Sequence, residues 1–139
     1  MILLDTNVIS ELFNPVPSAK VVDWLQRQAD GEVFTTAITR GELLFGVHIL
    51  RQGRRRDTLL AGLSRIFQVR FPERVLPYDE AAADAHAEIA AQRRARGRTS
   101  SQSDLMIAGI ARSRGAELAT RNVRDFEDCG ISVIDPWNI

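Results

Sequence analysis

Asp5, Glu42 and Asp104 are the residues of this sequence best suited to act together. Each stands where a helix is expected to begin, and two of those helices follow short apolar strands. Carboxylates brought to one place repel one another. A hard divalent cation relieves that repulsion, and an all-oxygen donor set suits Mg2+ or Mn2+. Each acid also has a purely structural explanation. Asp5 can cap a helix that starts near Asn7. Thr39-Arg40-Gly41-Glu42 reads as a capping box, with the Glu42 carboxylate reaching back to the Thr39 amide. Asp104 lies in the first turn of a helix, where the macrodipole favours an anion. Spacing alone leaves both explanations open. His48 and His86 are far apart and lie inside helical stretches, so they offer no zinc site.

The elements that must position these acids alternate along the chain. Ile2 to Leu4, Val33 to Thr36, Val75 to Leu76, Leu118 to Thr120 and Ile131 to Ile134 are short, apolar or β-branched, and read as strands. Between them, helices are expected over Asn7 to Phe13, from Ser18 to Ala29, from Thr39 to Gly53, over Asp57 to Val69, over Asp79 to Arg96 and over Asp104 to Arg114. Ala82, Ala85 and Ala90 permit close helix packing, and Gly97 and Gly115 end their helices. Strands alternating with helices imply an α/β fold with a mainly parallel sheet. Ligands of such sheets bind beyond the carboxyl ends of the strands, where Asp5 falls.

Composition narrows the function classes. A chain of 139 residues suits one domain spanning residues 1–139, and 45% hydrophobic residues can build a core, which argues against disorder. No apolar run approaches the roughly 18–20 residues of a membrane span, and the N-terminus meets an acid without a basic leader. The single cysteine, Cys129, excludes an internal disulfide, suits a reducing compartment such as the cytoplasm, and reads as a small packed side chain. The 18 basic residues balance the 18 acidic ones, so the overall basic excess of many nucleic-acid binders is missing. The arginines are clustered, however: Arg51, Arg54, Arg55 and Arg56 form one group, and Arg93, Arg94, Arg96 and Arg98 another. They are either solvated helix ends or phosphate contacts.

Four segments carry a family resemblance. Met1-Ile-Leu-Leu-Asp5-Thr6-Asn7-Val8-Ile9-Ser10-Glu11-Leu12 resembles the opening of PIN-domain proteins. Thr39 to Gly46 resembles their second acidic motif, Asp104 to Ala108 the third, and Leu118 to Phe126 with Gly130 and Asp135-Pro136-Trp137 the closing segment. The four stand in order over essentially the whole chain and are most similar to toxins of the VapC/FitB type. The resemblance implies a three-layer α/β/α fold with about five short strands, and an Mg2+- or Mn2+-dependent endoribonuclease. It implies Asp5, Glu42 and Asp104 as metal ligands, Asn122 where many relatives carry a fourth acid, and supporting roles for Thr6, Asn7 and Thr120. Asn122 brings no charge, so one firmly held cation is expected rather than two. Asp125 is an alternative fourth acid, though a cap or surface role suits it better. RNA is the implied substrate, with Arg51, Arg54, Arg55, Arg93, Arg96 and Arg98 as candidate phosphate contacts. A small cognate antitoxin is the implied partner, operator DNA is reached only through it, and a homodimer is implied, to which Phe13, Trp24, Phe45 and the alanine-rich helix could contribute a face. A PIN-like module that binds RNA or protein without cutting is the alternative. A receiver-type signalling domain fits less well, because Asp5 stands alone and no lysine follows a late strand.

Overall fold

The computed structural model describes all residues from Met1 to Ile139. Five strands form one sheet: β1 (Ile2–Leu4), β2 (Val33–Thr36), β3 (Val75–Leu76), β4 (Glu117–Ala119) and β5 (Val133–Ile134). Their order is β3-β2-β1-β4-β5, and every pairing is parallel. β1 is central. Leu3 pairs with Phe34 on one side and Leu118 on the other. A central parallel strand is covered on both faces, which is why Ile2 to Leu4 is uninterrupted apolar sequence.

Successive side chains of β1 enter opposite cores, as the two-residue period of a strand requires. Leu3 joins Ala82, Ile89, Ile107, Ile110, Leu118 and Phe126 beneath α5 (Glu80–Ala95) and α6 (Gln102–Arg114). Leu4 joins Val8, Ile9, Trp24, Leu43, Leu63 and Phe67 on the other face. The helices there are α1 (Thr6–Glu11), α2 (Ala19–Gln26), α3 (Ala37–His48) and α4 (Arg54–Val69). The result is the expected α/β/α sandwich. A short 3-10 turn, Val123–Phe126, links β4 to β5.

Three helix starts differ from the sequence expectation by two residues or more, and two of them bear on the site. α3 begins at Ala37 because Thr36, the last residue of β2, caps it: its hydroxyl accepts the Thr39 amide at 3.1 Å. The capping box expected at Thr39 is therefore absent, and Glu42 lies in the second turn. α6 begins at Gln102, capped by Ser101, whose hydroxyl accepts the Asp104 amide at 3.1 Å. Asp104 is thus the third residue of the helix rather than its first, and it lies in the first turn as expected. α4 begins at Arg54, three residues before Asp57, directly after Gly53 with its φ of 153°.

Close packing of α5 on α6 depends on Gly109 rather than on the alanines alone. A Cβ at Gly109 would lie 2.5 Å from the Ala82 carbonyl oxygen and 3.0 Å from His86 Cβ. His86 is held at this crossing by a 2.7 Å hydrogen bond between its Nδ1 and the Tyr78 hydroxyl. Gly115 ends α6 at φ 61°, and the Ala116 amide returns to the Ala111 carbonyl at 2.9 Å, the expected glycine stop.

Candidate active site

Asp5 sits where β1 gives way to α1. Its backbone is extended, with φ −73° and ψ 164°, and its Oδ1 accepts the Thr6 amide at 2.8 Å, so it does cap α1. Its second oxygen accepts the Thr120 hydroxyl at 2.7 Å. Thr120 follows β4, the strand beside β1, and is fully buried. The same hydroxyl accepts Asn7 Nδ2 at 3.2 Å and the Asn122 amide at 3.1 Å. One proton and two lone pairs are thereby all engaged, so a single oxygen ties together the ends of β1 and β4. Asn7 is not a cap. Its Oδ1 accepts the Arg121 amide at 3.2 Å, which joins α1 to the residue after Thr120.

Glu42 projects from α3 toward α1. Its Oε1 accepts the Thr6 hydroxyl at 2.9 Å, and the Thr39 hydroxyl lies 3.4 Å from that of Thr6. Asp5, Glu42, Asp104 and Asn122 all line one cavity of about 410 Å³ at the carboxyl edge of the sheet, with Thr6 and Asn7 on its wall. Thr120 lies beneath it. The carboxylates are on one cavity yet, as they stand, no three acidic, histidine or cysteine side chains close around a common point.

Burial pushes the Asp5 carboxyl above the ordinary carboxylate range, against the lowering effect of its bonds to Thr120 and Thr6. The charges of Glu42 and Asp125 push it up further. Asp104 is raised chiefly by burial too, with Asp5 and Asp125 adding to the shift and Ser101 and Arg93 opposing it. Two carboxylates at one edge with raised pKa values are a charge concentration that a cation would relieve. Asp125, on the 3-10 turn, is exposed but close enough to act on both, and it lines a neighbouring hollow with Asp104.

The arginine clusters divide. Arg51, Arg54 and Arg55 are exposed, and none lines the cavity. Arg93 cannot reach a ligand at the surface, being 4% exposed at the end of α5. Its Nε donates to the Ser100 hydroxyl at 2.6 Å, and its Nη1 donates to the Glu127 carbonyl and lies 3.8 Å from Cys129 Sγ. Arg96 pairs with Asp128 at 3.5 Å, and Arg98 pairs with Glu127 at 3.1 Å and Asp128 at 3.5 Å. This group clamps the loop before Ser101 to the segment after the 3-10 turn. Arg93 is therefore taken up inside this clamp, with almost none of its surface open to solvent. Arg93→Met keeps much of the volume but leaves the Glu127 carbonyl and the Ser100 hydroxyl without their donor. We expect a loss of about 2 kcal/mol, read as a lower urea midpoint at unchanged slope.

Of the apolar residues considered for a second face, Trp24 is buried, Phe13 is half-buried and α5 packs on α6, whereas Phe45 is 65% exposed with Ile49 one turn on at 66%. Sequence reasoning gave no role to Ser10, Glu11, Asn14, Arg121 or Trp137, all of which line the cavity. The usable signal for the last two was their place just beyond the ends of adjacent strands, β4 and β5. Their side chains meet, with the Arg121 guanidinium 5.0 Å above the Trp137 ring.

Comparison with known proteins matches residues 2–130 to the PIN domain family. The chain is 36% identical over 138 residues to toxin FitB of Neisseria gonorrhoeae, covering 99% of each. It is 36% identical over 137 residues to the VapC ribonuclease Y4jK of Sinorhizobium fredii, covering 99% of this chain and 98% of the relative. The crystal structure of FitAcB from Neisseria gonorrhoeae superposes on it with a TM-score of 0.94 at 36% identity, covering 100% of both chains. A parallel five-stranded sandwich with acids gathered at the carboxyl edge of its sheet, matched from Ile2 to Gly130, leaves one assignment: the chain belongs to the PIN domain family, and within it resembles toxins of the FitB and VapC type.

Proposed function

We propose that this chain is the toxin of a toxin–antitoxin pair and acts as an endoribonuclease that requires Mg2+ or Mn2+. The observation that carries the reading is the cavity at the sheet edge, where Asp5, Glu42 and Asp104 supply only oxygen donors. A hard cation fits that donor set. It would be held by Asp5 and Asp104 with Glu42 drawn in, and Asn122 could add its carbonyl oxygen without charge. Bound there, it supplies Lewis acidity that makes phosphorus more electrophilic and water more acidic.

The protein's own groups do the positioning. The Thr120 hydroxyl and Thr6 amide fix both oxygens of Asp5, so that carboxylate cannot swing. The Thr6 hydroxyl aims Glu42 across the cavity toward α1. Asn7 braces Thr120 and Arg121 from α1. The Arg93 clamp sets where α6 starts and hence where Asp104 stands. Such preorganisation is what a displacement at phosphorus needs from its surroundings.

Partners follow from the likeness to FitB and VapC proteins. A small cognate antitoxin would cover the cavity, and operator DNA would be bound only through it. A homodimer belongs to this reading, with Phe45 and Ile49 as the exposed apolar surface of α3. No helix is long and apolar enough to cross a membrane, which accords with action in the cytoplasm. Asn122 and the spread carboxylates favour one second reading, a PIN-like module that binds without cutting. A cleavage assay on total RNA, titrated with Mg2+ and Mn2+ after chelator treatment, separates the two. Metal-dependent fragments absent with chelator are the expected result; retention of RNA with no turnover at any metal concentration would favour the module.

A further inference from the structure

The cavity presents four carboxylates, those of Asp5, Glu11, Glu42 and Asp104, against one cation among its lining residues, Arg121. An RNA strand entering it meets repulsion that a cation between the carboxylates offsets only locally. Arg121 is exposed and forms no ion pair with any of these acids. Asp5 already has both oxygens engaged, Glu42 receives the Thr6 hydroxyl, and Glu11 accepts the Asn14 amide at 2.7 Å and the Ser18 amide at 2.9 Å. The guanidinium rests instead on the indole of Trp137.

Both partners of that stack are fixed from behind. The Arg121 amide is held by Asn7, and the Trp137 amide donates to Asp135 Oδ1 at 2.9 Å. The Arg121 guanidinium lies over the ring and makes no ion pair within the chain. The residue's only hydrogen bond to a neighbour is made by its backbone amide, so the guanidinium N–H donors are free. These forked donors match a phosphate. We infer that Arg121, backed by Trp137, is a substrate-binding residue that grips a backbone phosphate of single-stranded RNA beside the acidic cavity. This inference rests on the nuclease reading above. Arg121 sets where the strand lies; it does not touch the reacting atoms. The exposed Arg51, Arg54 and Arg55 line no part of the cavity, which leaves Arg121 as the cation placed at its wall.

The test uses the purified full-length protein and a fluorescein-labelled single-stranded oligoribonucleotide of mixed sequence. Binding is read by anisotropy across a salt series in an Asp104→Asn background with Mg2+ present, and KM and kcat are read in the otherwise wild-type protein. Arg121→Ala is expected to weaken binding and raise KM by about tenfold, with kcat within about twofold, as loss of a charge-assisted phosphate contact gives. The slope of log K against log salt should fall by about 0.7, the share of one single-strand phosphate. Arg121→Lys should keep the slope but lose part of the affinity, because an ammonium neither stacks nor forks. Trp137→Leu should weaken binding in the same direction, with little added in the double variant. Wild-type KM and salt slope in Arg121→Ala would overturn the proposal. So would unchanged RNA binding accompanied by weaker retention of the cognate antitoxin, which would assign the stack to the protein interface. If the wild type binds RNA without cutting while Arg121→Ala still weakens binding, the phosphate contact stands and the nuclease reading fails.

Discussion

Asp104→Asn is expected to lower RNA cleavage by about 10³-fold or more while leaving the protein folded and, without metal, at least as stable as the wild type. The loss follows from removing one of the three carboxylates proposed to hold the cation, and 10³-fold corresponds to about 4 kcal/mol of transition-state stabilisation. The stability follows from linkage. Burial raises the carboxyls of both Asp5 and Asp104, so the folded chain holds their protons more tightly than the unfolded chain does. The stability they contribute is fully present below the ordinary carboxylate range and is lost as pH rises through the raised values. At neutral pH their charges are therefore a cost, and an amide at position 104 removes part of it. Thermal melts in chelator should show a Tm no lower than wild type and a weaker fall in stability between mildly acidic and neutral pH. Saturating Mg2+ should raise the wild-type Tm, since a ligand at 100 times its Kd adds about 2.7 kcal/mol, and should do so far less in the variant. Equal metal-dependent cleavage by the pure variant would remove Asp104 from the site.

Gly109→Ala should meet the severest steric clash of any glycine-to-alanine change in the chain. Alanine is the better helix former by about 1 kcal/mol, so an open site would gain stability. Here the added carbon would lie 2.5 Å from a backbone carbonyl, that of Ala82, which no rotamer change can move. The two helices must separate, opening the core around Ile89, Ile107 and Ile110. Overpacking and disturbed packing together should cost about 3–4 kcal/mol, leaving a net loss of about 2–3 kcal/mol after the propensity gain. Gly46 on α3 is the control: nothing lies within 4 Å of a Cβ there, and Gly46→Ala should gain about 0.5–1 kcal/mol. Urea unfolding of both variants checks the contrast. A destabilised Gly46→Ala or an unaffected Gly109→Ala would contradict the packing described.

The parts of this molecule legible in its sequence are those governed by local chemistry. An apolar triplet ending in aspartate gave β1 and the Asp5 cap, and glycine after Arg114 gave the end of α6. Glu42 shows where local chemistry misleads. Thr36 and Thr39 are both plausible caps, and a capping box is a good local solution. The choice falls to Thr36 because β2 runs to its end in the sheet, and Glu42 is then free to meet Thr6 from another helix. Arg93 departs from the surface expectation for a similar reason, while Arg94, Arg96 and Arg98 beside it are exposed. An arginine with three acceptors supplied by Ser100, Glu127 and Cys129 can be buried, but those acceptors come from two segments that only the fold brings together. The Arg121–Trp137 stack was hidden because its two members flank different strands. The convergence of Asp5, Glu42 and Asp104 on one cavity was expected from their joint pattern, not from any spacing between them.

The strand order also sets a time of assembly. β1 is made first, yet one of its two neighbours, β4, is made almost last, and Thr120, which orients Asp5, follows β4. A nascent or truncated chain that stops short of Glu117 can pair β1 with β2 and bring Asp5 near Glu42, but it has no Thr120 hydroxyl, no Asn122 and no Arg121. Its central strand also keeps one edge bare. No fragment that ends before Trp137 can therefore carry the complete cavity lining. The cavity is finished only once the chain is nearly whole.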